Sequence, residues 1–232
     1  MPSVAVIVPV LDEERVAPAL AARLTALAAR TSPGAEVVVV DGGSRDGTAA
    51  LLERAGLRVI RAERGRGAQM NAGAAATRAP ALLFLHADTA LPDGALAAVD
   101  AALADPRTVG GCFRVRIASR DPRLRVASRL INLRSRLLPS ASGDQALFVR
   151  RDAFERLGGY RPLPLMEDLD FVARLSRLGR FRLLPAAVET SARRWEQHGV
   201  TRTIALMWTL RLGYHLGVAP ETLARLYGRD AR

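Results

Sequence analysis

Residues 36–48, EVVVVDGGSRDGT, carry the reading on which the fold turns. Four consecutive valines suit a strand buried on both faces, because β-branched side chains pack well on a pleated surface and a central parallel strand has no wet side. The run stops at Asp41. Gly42 and Gly43 then allow backbone angles that a side chain would resist, so the chain can turn sharply at the carboxyl end of the strand. Asp46 and Thr48 both suit the cap of a following helix that carries Leu51 and Leu52. An acid at the C-terminal edge of a strand, then a glycine turn, then a helix start, is the arrangement with which open α/β sheets hold nucleotides. The same letters also suit an ordinary strand–helix turn whose aspartate only caps a backbone group, so the rest of the chain must decide.

Working outward, residues 4–8 read as a buried strand meeting Pro9, and Asp12 suits the cap of a helix striped by Val16, Leu20, Leu24 and Leu27, with Pro18 tolerable only in its first turn. Ser32-Pro33-Gly34 should end that helix. On the other side follow a helix to about 56, a short strand at 57–60, a basic loop at 61–67 and a helix of small residues. A fourth strand at 81–85 runs straight into His86-Ala87-Asp88. Alternating strand and helix imply a parallel sheet with right-handed crossovers; if the strand at 81–85 neighbours the first or second, Asp41 and Asp88 line one crevice. From 110 to 117 the pattern alternates like a strand with one wet side. The arginine-dense stretch 120–138 spaces Val126, Leu130, Leu133 and Leu137 as a helix would, either lying on a membrane or packed over the core. Strands at 146–150, 181–184 and 188–192, a helix headed by Glu167-Asp168 and a long helix over 200–217 complete the pattern. The expected architecture is α/β, a mostly parallel central sheet flanked by helices over residues 1–200, with 201–232 as a helical extension packed on the same domain.

The 232 residues carry a net charge of +11 and a pI near 11.3, and all 34 basic residues are arginine. Such a charge attracts anionic partners without specifying a fold. Aromatics are only 5% and no nucleic-acid recognition module is visible, so non-specific, salt-dependent binding is the most a nucleic-acid reading supports. The single cysteine, Cys112, excludes an internal disulfide framework and a cysteine-based zinc site, and a cytoplasmic location is expected. The opening apolar run is short and meets three acids, as a first strand would and a signal peptide would not. No stretch reaches the roughly 18 uninterrupted apolar residues of a membrane span.

Four signatures occur in order: PVLDEE (9–14), VVDGGSRDGT (39–48), HAD (86–88) and MEDLDF (166–171). Together they resemble the family 2 glycosyltransferases, inverting enzymes of the GT-A fold that use nucleotide sugars, over about residues 4–200. The segments GDQALFVRR (143–151) and TSARRWEQHG (190–199) are similar to a small bacterial branch labelled arsenosugar or carotenoid-acid glycosyltransferases. The resemblance implies that the Pro9–Glu13 segment and Asp41, with Gly43 and Ser44, hold the base and ribose of a UDP-sugar. A fixed carboxylate suits both an N–H donor and ribose hydroxyls. It implies that Arg66 approaches the diphosphate and that Asp88 ligates Mn²⁺ or Mg²⁺. His86 stands where the family's first metal-binding acid is usual, and His198 suits a late histidine ligand. Each histidine equally suits a satisfied hydrogen-bonding role.

Inversion needs a base to take the acceptor's proton, and the resemblance gives that role to Asp168, with Glu167 second. Both also suit a helix's first turn for purely electrostatic reasons. Asp144, Gln145, Arg194 and Trp195 should border the acceptor. The QxxRW element of processive synthases lacks its glutamine here, which favours transfer of a single sugar. The resemblance implies a small-molecule or lipid acceptor, a carotenoid acid such as diaponeurosporenoate among them, and peripheral contact at the inner face of the cell membrane is expected with a lipid. The competing activities are a sugar nucleotidyltransferase, which would want a glycine-rich basic loop after the first strand, and a catalytically silent nucleotide-sugar-binding protein.

Overall fold

A computed structural model describes residues 3–30 and 35–230. The helix-ending triplet at 32–34 lies outside the described residues. The elements are β1 (Val4–Val10), α1 (Ala17–Arg30), β2 (Glu36–Asp41), α2 (Thr48–Arg54), β3 (Arg58–Arg61), α3 (Arg66–Ala75), β4 (Ala81–Phe84), β5 (Thr89–Ala90) and α4 (Ala95–Leu103). There follow β6 (Thr108–Ala118), α5 (Pro122–Leu137), a 3₁₀ turn at Gly143–Gln145, β7 (Leu147–Arg150), α6 (Arg151–Arg156), α7 (Glu167–Leu175), β8 (Arg180–Ser191), α8 (Arg193–His198), α9 (Val200–His215) and α10 (Pro220–Asp230).

The strands form one eight-stranded sheet in the order β3-β2-β1-β4-β7-β6-β8-β5. The β3-β2-β1-β4 half is wholly parallel, and the other half mixes parallel and antiparallel pairs. The valine run needs to be apolar throughout because alternate side chains enter different cores. On one face Val4, Val6, Val8 and Val39 meet Leu20 and Leu24 of α1, and on the other Ile7, Val38 and Val40 meet Met70 and Ala74 of α3. The small residues of α3 serve close approach: a side chain at Gly73 would come within 2.3 Å of Ile7 Cγ2.

Several local expectations are corrected. Asp12 does not cap α1, which begins five residues later at Ala17; it stands in the preceding loop with a left-handed backbone, φ +52°. The strands expected at 181–184 and 188–192 are one strand, whose pairing with β6 skips Pro185 and Ala186 in a bulge. The stripe Val126, Leu130, Leu133 and Leu137 does not pack over the core but faces outward, while α5 is held by Leu124, Ala127, Ser128 and Ser135. Leu210 of α9 and Leu223 of α10 are buried with Met166 and Leu169, so both C-terminal helices pack beside the head of α7. Among the described residues no helix is long and apolar enough to cross a membrane.

One buried side chain ties the organising edge together. Gln69 on α3, only 3% exposed, donates from Nε2 to the carbonyls of Val10 and Val40, both at 2.8 Å, and so joins the ends of β1 and β2. Gly42 is glycine because a side chain there would press on that amide at 2.9 Å; the positive φ belongs to Gly43, at +87°. Gln69→Leu keeps the volume but removes both of these bonds, although the Val10 carbonyl still accepts the Gly42 N–H at 3.0 Å, and should lower stability by about 1–3 kcal/mol. The check is the urea midpoint at unchanged slope; an unmoved midpoint would show that water reaches those carbonyls.

Candidate active site

The site lies along the C-terminal edge of the parallel strands. The loops after β1 and β2 are zipped together through backbone groups. The Asp12 N–H donates to Ser44 Oγ at 2.9 Å, Arg45 N–H to Asp12 Oδ1 at 2.8 Å, Glu13 N–H to Thr48 Oγ1 at 2.8 Å and Glu14 N–H to Asp46 Oδ2 at 3.1 Å. Asp41, 2% exposed, accepts the Ser44 N–H at 3.1 Å and the Ser44 hydroxyl. Pro9 is buried inside β1 opposite Val40. Gly43 is exposed, with open space beside it. The Glu13 carboxylate is engaged by Arg193 Nη2 at 3.1 Å.

Beyond β4 the chain assembles a cluster of donors. His86, Asp88 and Asp144 each offer one ligand atom, all within 4.8 Å of one another, and His86 Nδ1 lies 3.0 Å from Asp144 Oδ1. One imidazole and two carboxylates suit a divalent cation at the border of oxygen and nitrogen preference, and Mn²⁺ better than Mg²⁺. His198 closes α8 and is not part of this cluster. Partial burial works against the charge on Asp144, but His86, Arg66 and Arg194 outweigh it and hold its pKa below the usual 3.8. Partial burial and the charge of Arg66 push Arg194 down, against the pull of Asp144 and Asp88. Arg66, the first residue of α3, and Arg194, stacked on the Tyr227 ring at 4.9 Å, therefore set positive charge beside the donor cluster.

A single short turn joins this cluster to the head of α7. Gly143 presses so closely on His86 that a side chain would come within 2.2 Å of Nε2, and its N–H donates to Asp168 Oδ2 at 2.8 Å. Asp168 Oδ1 accepts the Leu169 N–H at 2.8 Å, so two backbone donors orient the carboxylate. Glu167 is 6% exposed, and burial, reinforced by the Asp168 charge, raises its pKa above the usual 4.5. Asp170 is tied to Arg174 at 2.7 Å and to Arg161 at 3.0 Å, which makes it a structural ion pair. Gln145 is wholly buried: its amide donates to the Phe113 carbonyl and Ser135, and accepts the Ser142 N–H. Nothing of it is left to meet an acceptor. Trp195 is half-buried against a cluster formed by Ile117, Leu124, Ala127, Ala192 and Val200.

Three residues that sequence reasoning passed over stand near Asp168. Its charge acts on Arg134, Arg211 and Tyr160. Arg134 is pushed down to about 10 by burial, with Arg211 adding to the effect, and its buried Nε and Nη2 have no hydrogen-bond partner among the described residues. The Tyr160 hydroxyl is likewise buried without a partner, and its ring stacks on Phe171 at 4.3 Å. No local signal marks any of them; Arg134 sits in an arginine-dense helix and Arg211 interrupts an apolar one. Among the described residues, the non-glycine positions with positive φ are Asp12, Ala146 and Met166, in the loop after β1, beside the Gly143–Gln145 turn and before Glu167. Backbone strain of this kind persists where the surroundings enforce it, and it gathers at functional sites.

A nucleotide-type crevice, a donor cluster suited to a divalent cation with flanking arginines, and an oriented carboxylate beyond it define the class: an α/β protein whose candidate site lies at the C-terminal edge of its parallel strands. The pattern of Glycosyl transferase family 2 matches residues 5–158, and the chain belongs to that family. No curated protein sequence matches it. Among solved structures, the mannosyltransferase PcManGT from Pyrobaculum calidifontis, in complex with GDP-Man and Mn²⁺, aligns with a TM-score of 0.68 at 23% identity, over 93% of this chain and 62% of its own. TarS 1–349 of S. aureus aligns with a TM-score of 0.60 at 19% identity, over 89% of this chain and 65% of its own. The same TarS fragment with UDP-GlcNAc gives 0.59 at 19%, over 82% of this chain and 58% of its own. The chain thus spans less than two thirds of each of these structures. Its fold is that of the GT-A glycosyltransferases: a curled mixed sheet flanked by helices.

Proposed function

We propose that the protein is an inverting glycosyltransferase that moves one sugar from a UDP-sugar or related nucleotide sugar to a hydroxyl or carboxyl acceptor. The observation that carries this reading is the Gly143–Gln145 turn, which sets Asp144 against His86 on one side and Gly143 against Asp168 on the other. The reacting bond of a nucleotide sugar would lie between those two places. The zipped loops with Asp41 form the base and ribose side, and Arg66 and Arg194 face the diphosphate as fixed, delocalised cations. His86, Asp88 and Asp144 would hold the divalent cation, and PcManGT carries Mn²⁺ with its GDP-mannose. When bound, that ion supplies positive charge for the departing diphosphate. Asp168, half-buried and held by two N–H donors, takes the proton of an acceptor hydroxyl as its oxygen attacks the anomeric carbon from the face opposite the diphosphate. A carboxylate acceptor arrives already ionised and would not need that step. A lipid acid, a carotenoid acid included, is the acceptor that best suits the neighbouring positive charge of Arg134 and Arg211.

The test is a panel of UDP- and GDP-sugars with Mn²⁺ or Mg²⁺, followed by melting temperature and by mass spectrometry of added cell extract. The matching nucleotide sugar at a hundredfold excess over its Kd should stabilise the fold by about 2.7 kcal/mol. A product one sugar heavier should then appear. A panel that shifts nothing and yields no such product would overturn the reading.

A further inference from the structure

Helices α5 and α9 lie side by side and run in the same sense. Near their starts, Arg123 Nη1 donates to Thr201 Oγ1 at 3.1 Å; further along, Arg211 Nη2 donates to Ser140 Oγ, just past the end of α5, at 2.7 Å. Each helix keeps its strongest apolar row outside. On α5 the row is Val126, Leu130, Leu133 and Leu137, between 47% and 69% exposed. On α9 it is Trp208 and Leu212, continued by Leu216 just past the helix end, at 62%, 60% and 75%. Steps of three and four residues keep each row on one side of its helix. Scattered exposed leucines need no explanation, but two adjoining rows do, because contiguous apolar surface is costly to leave in water and marks a contact.

The charge around these rows indicates what they touch. Arg125, Arg129 and Arg136 are exposed, each one position before a row residue and therefore about 100° round the helix from it. Neither α5 nor α9 contains an acidic residue. A second copy of the chain meeting this face about a two-fold axis would set arginine rows against themselves. An anionic lipid surface takes both features: its headgroup boundary accepts leucine and the exposed tryptophan, and its phosphates accept guanidinium.

We propose that the outer faces of α5 and α9 together form the surface by which the protein rests on an anionic lipid bilayer. Arg134 and Arg211, on the inner sides of the same two helices, feel the charge of Asp168, so an acceptor held in that membrane would be presented beside the candidate base. That consequence rests on the transferase reading; the surface does not, and its test reads binding instead of turnover.

The experiment is flotation with phosphatidylglycerol-containing vesicles against pure phosphatidylcholine vesicles, across salt. The chain should float with the anionic vesicles and be released as salt rises. Arg125→Gln with Arg129→Gln should lower partitioning about 30-fold, roughly fivefold for each charge removed near the surface. Leu130→Glu with Leu212→Glu should abolish it. Both double variants should stay folded, with melting temperatures within a few degrees of wild type, since the altered side chains are about half exposed or more. Trp208 emission should shift to the blue on anionic vesicles, and that shift should vanish in Trp208→Phe. No flotation at low salt, or flotation unchanged in both double variants, would overturn the proposal. So would a dimer without lipid that Leu130→Glu with Leu212→Glu splits, since that result gives the face to a second copy.

Discussion

Asp168→Asn should lower kcat on a hydroxyl acceptor by about a hundredfold to ten-thousandfold, the usual range for a positioned general base, with nucleotide-sugar affinity retained. The carboxylate faces two N–H donors, Gly143 and Leu169. An asparagine amide must turn its NH₂ toward one of them, so a loss of about 1 kcal/mol in stability should accompany the loss of turnover. Melting temperature and single-turnover transfer, measured on the same preparation, separate the two effects. Glu167→Gln is the control. It removes a buried carboxyl whose pKa is already raised by burial and by Asp168, and it should cost far less turnover. A larger loss from Glu167→Gln than from Asp168→Asn would exchange their roles. Transfer that survives in Asp168→Asn and yields a glycosyl ester would mark the acceptor as a carboxylic acid.

Asp88→Asn should cut turnover at least about a hundredfold, and chelation of divalent cations should do the same to the unaltered protein. The variant should also erase the part of the nucleotide-sugar thermal shift that depends on Mn²⁺. With one carboxylate gone, His86 and Asp144 remain hydrogen-bonded to each other and present too little negative charge for a hard dication. His198→Ala belongs in the same experiment. An equal loss there would bring that residue into the metal's shell, while an Mn²⁺-dependent shift that persists in Asp88→Asn would show that the donors lie elsewhere.

The positions of Asp41, Asp88 and the Glu167-Asp168 pair were legible because each follows a local rule. An acid after a buried apolar run ends a strand, and acids before a striped segment start a helix. The parallel half of the sheet was legible for the same reason. Contacts that close over long loops were not. Gln69 reaches the carbonyl of Val10, 59 residues away, and no neighbour in sequence announces it. Gln145 follows Asp144 and shares its polarity, yet one is sunk in the core and the other half exposed, a difference set by the packing of β6 and α5. The α5 stripe has the helical spacing read from the sequence, but its facing stayed open there, because periodicity locates an apolar row without saying whether the core or something outside the molecule covers it. Pro185 and Ala186 divide an apparent pair of strands in sequence, and a bulge absorbs them in space.

Residues 143, 144 and 145 each answer to a different neighbour: the helix-head carboxylate, the imidazole and the interior. Such a tripeptide has no slack. A one-residue insertion would throw all three out of step at once, so drift in acceptor preference during evolution has to work around this triad, not through it. An engineer seeking a new acceptor would do better to leave these three letters untouched.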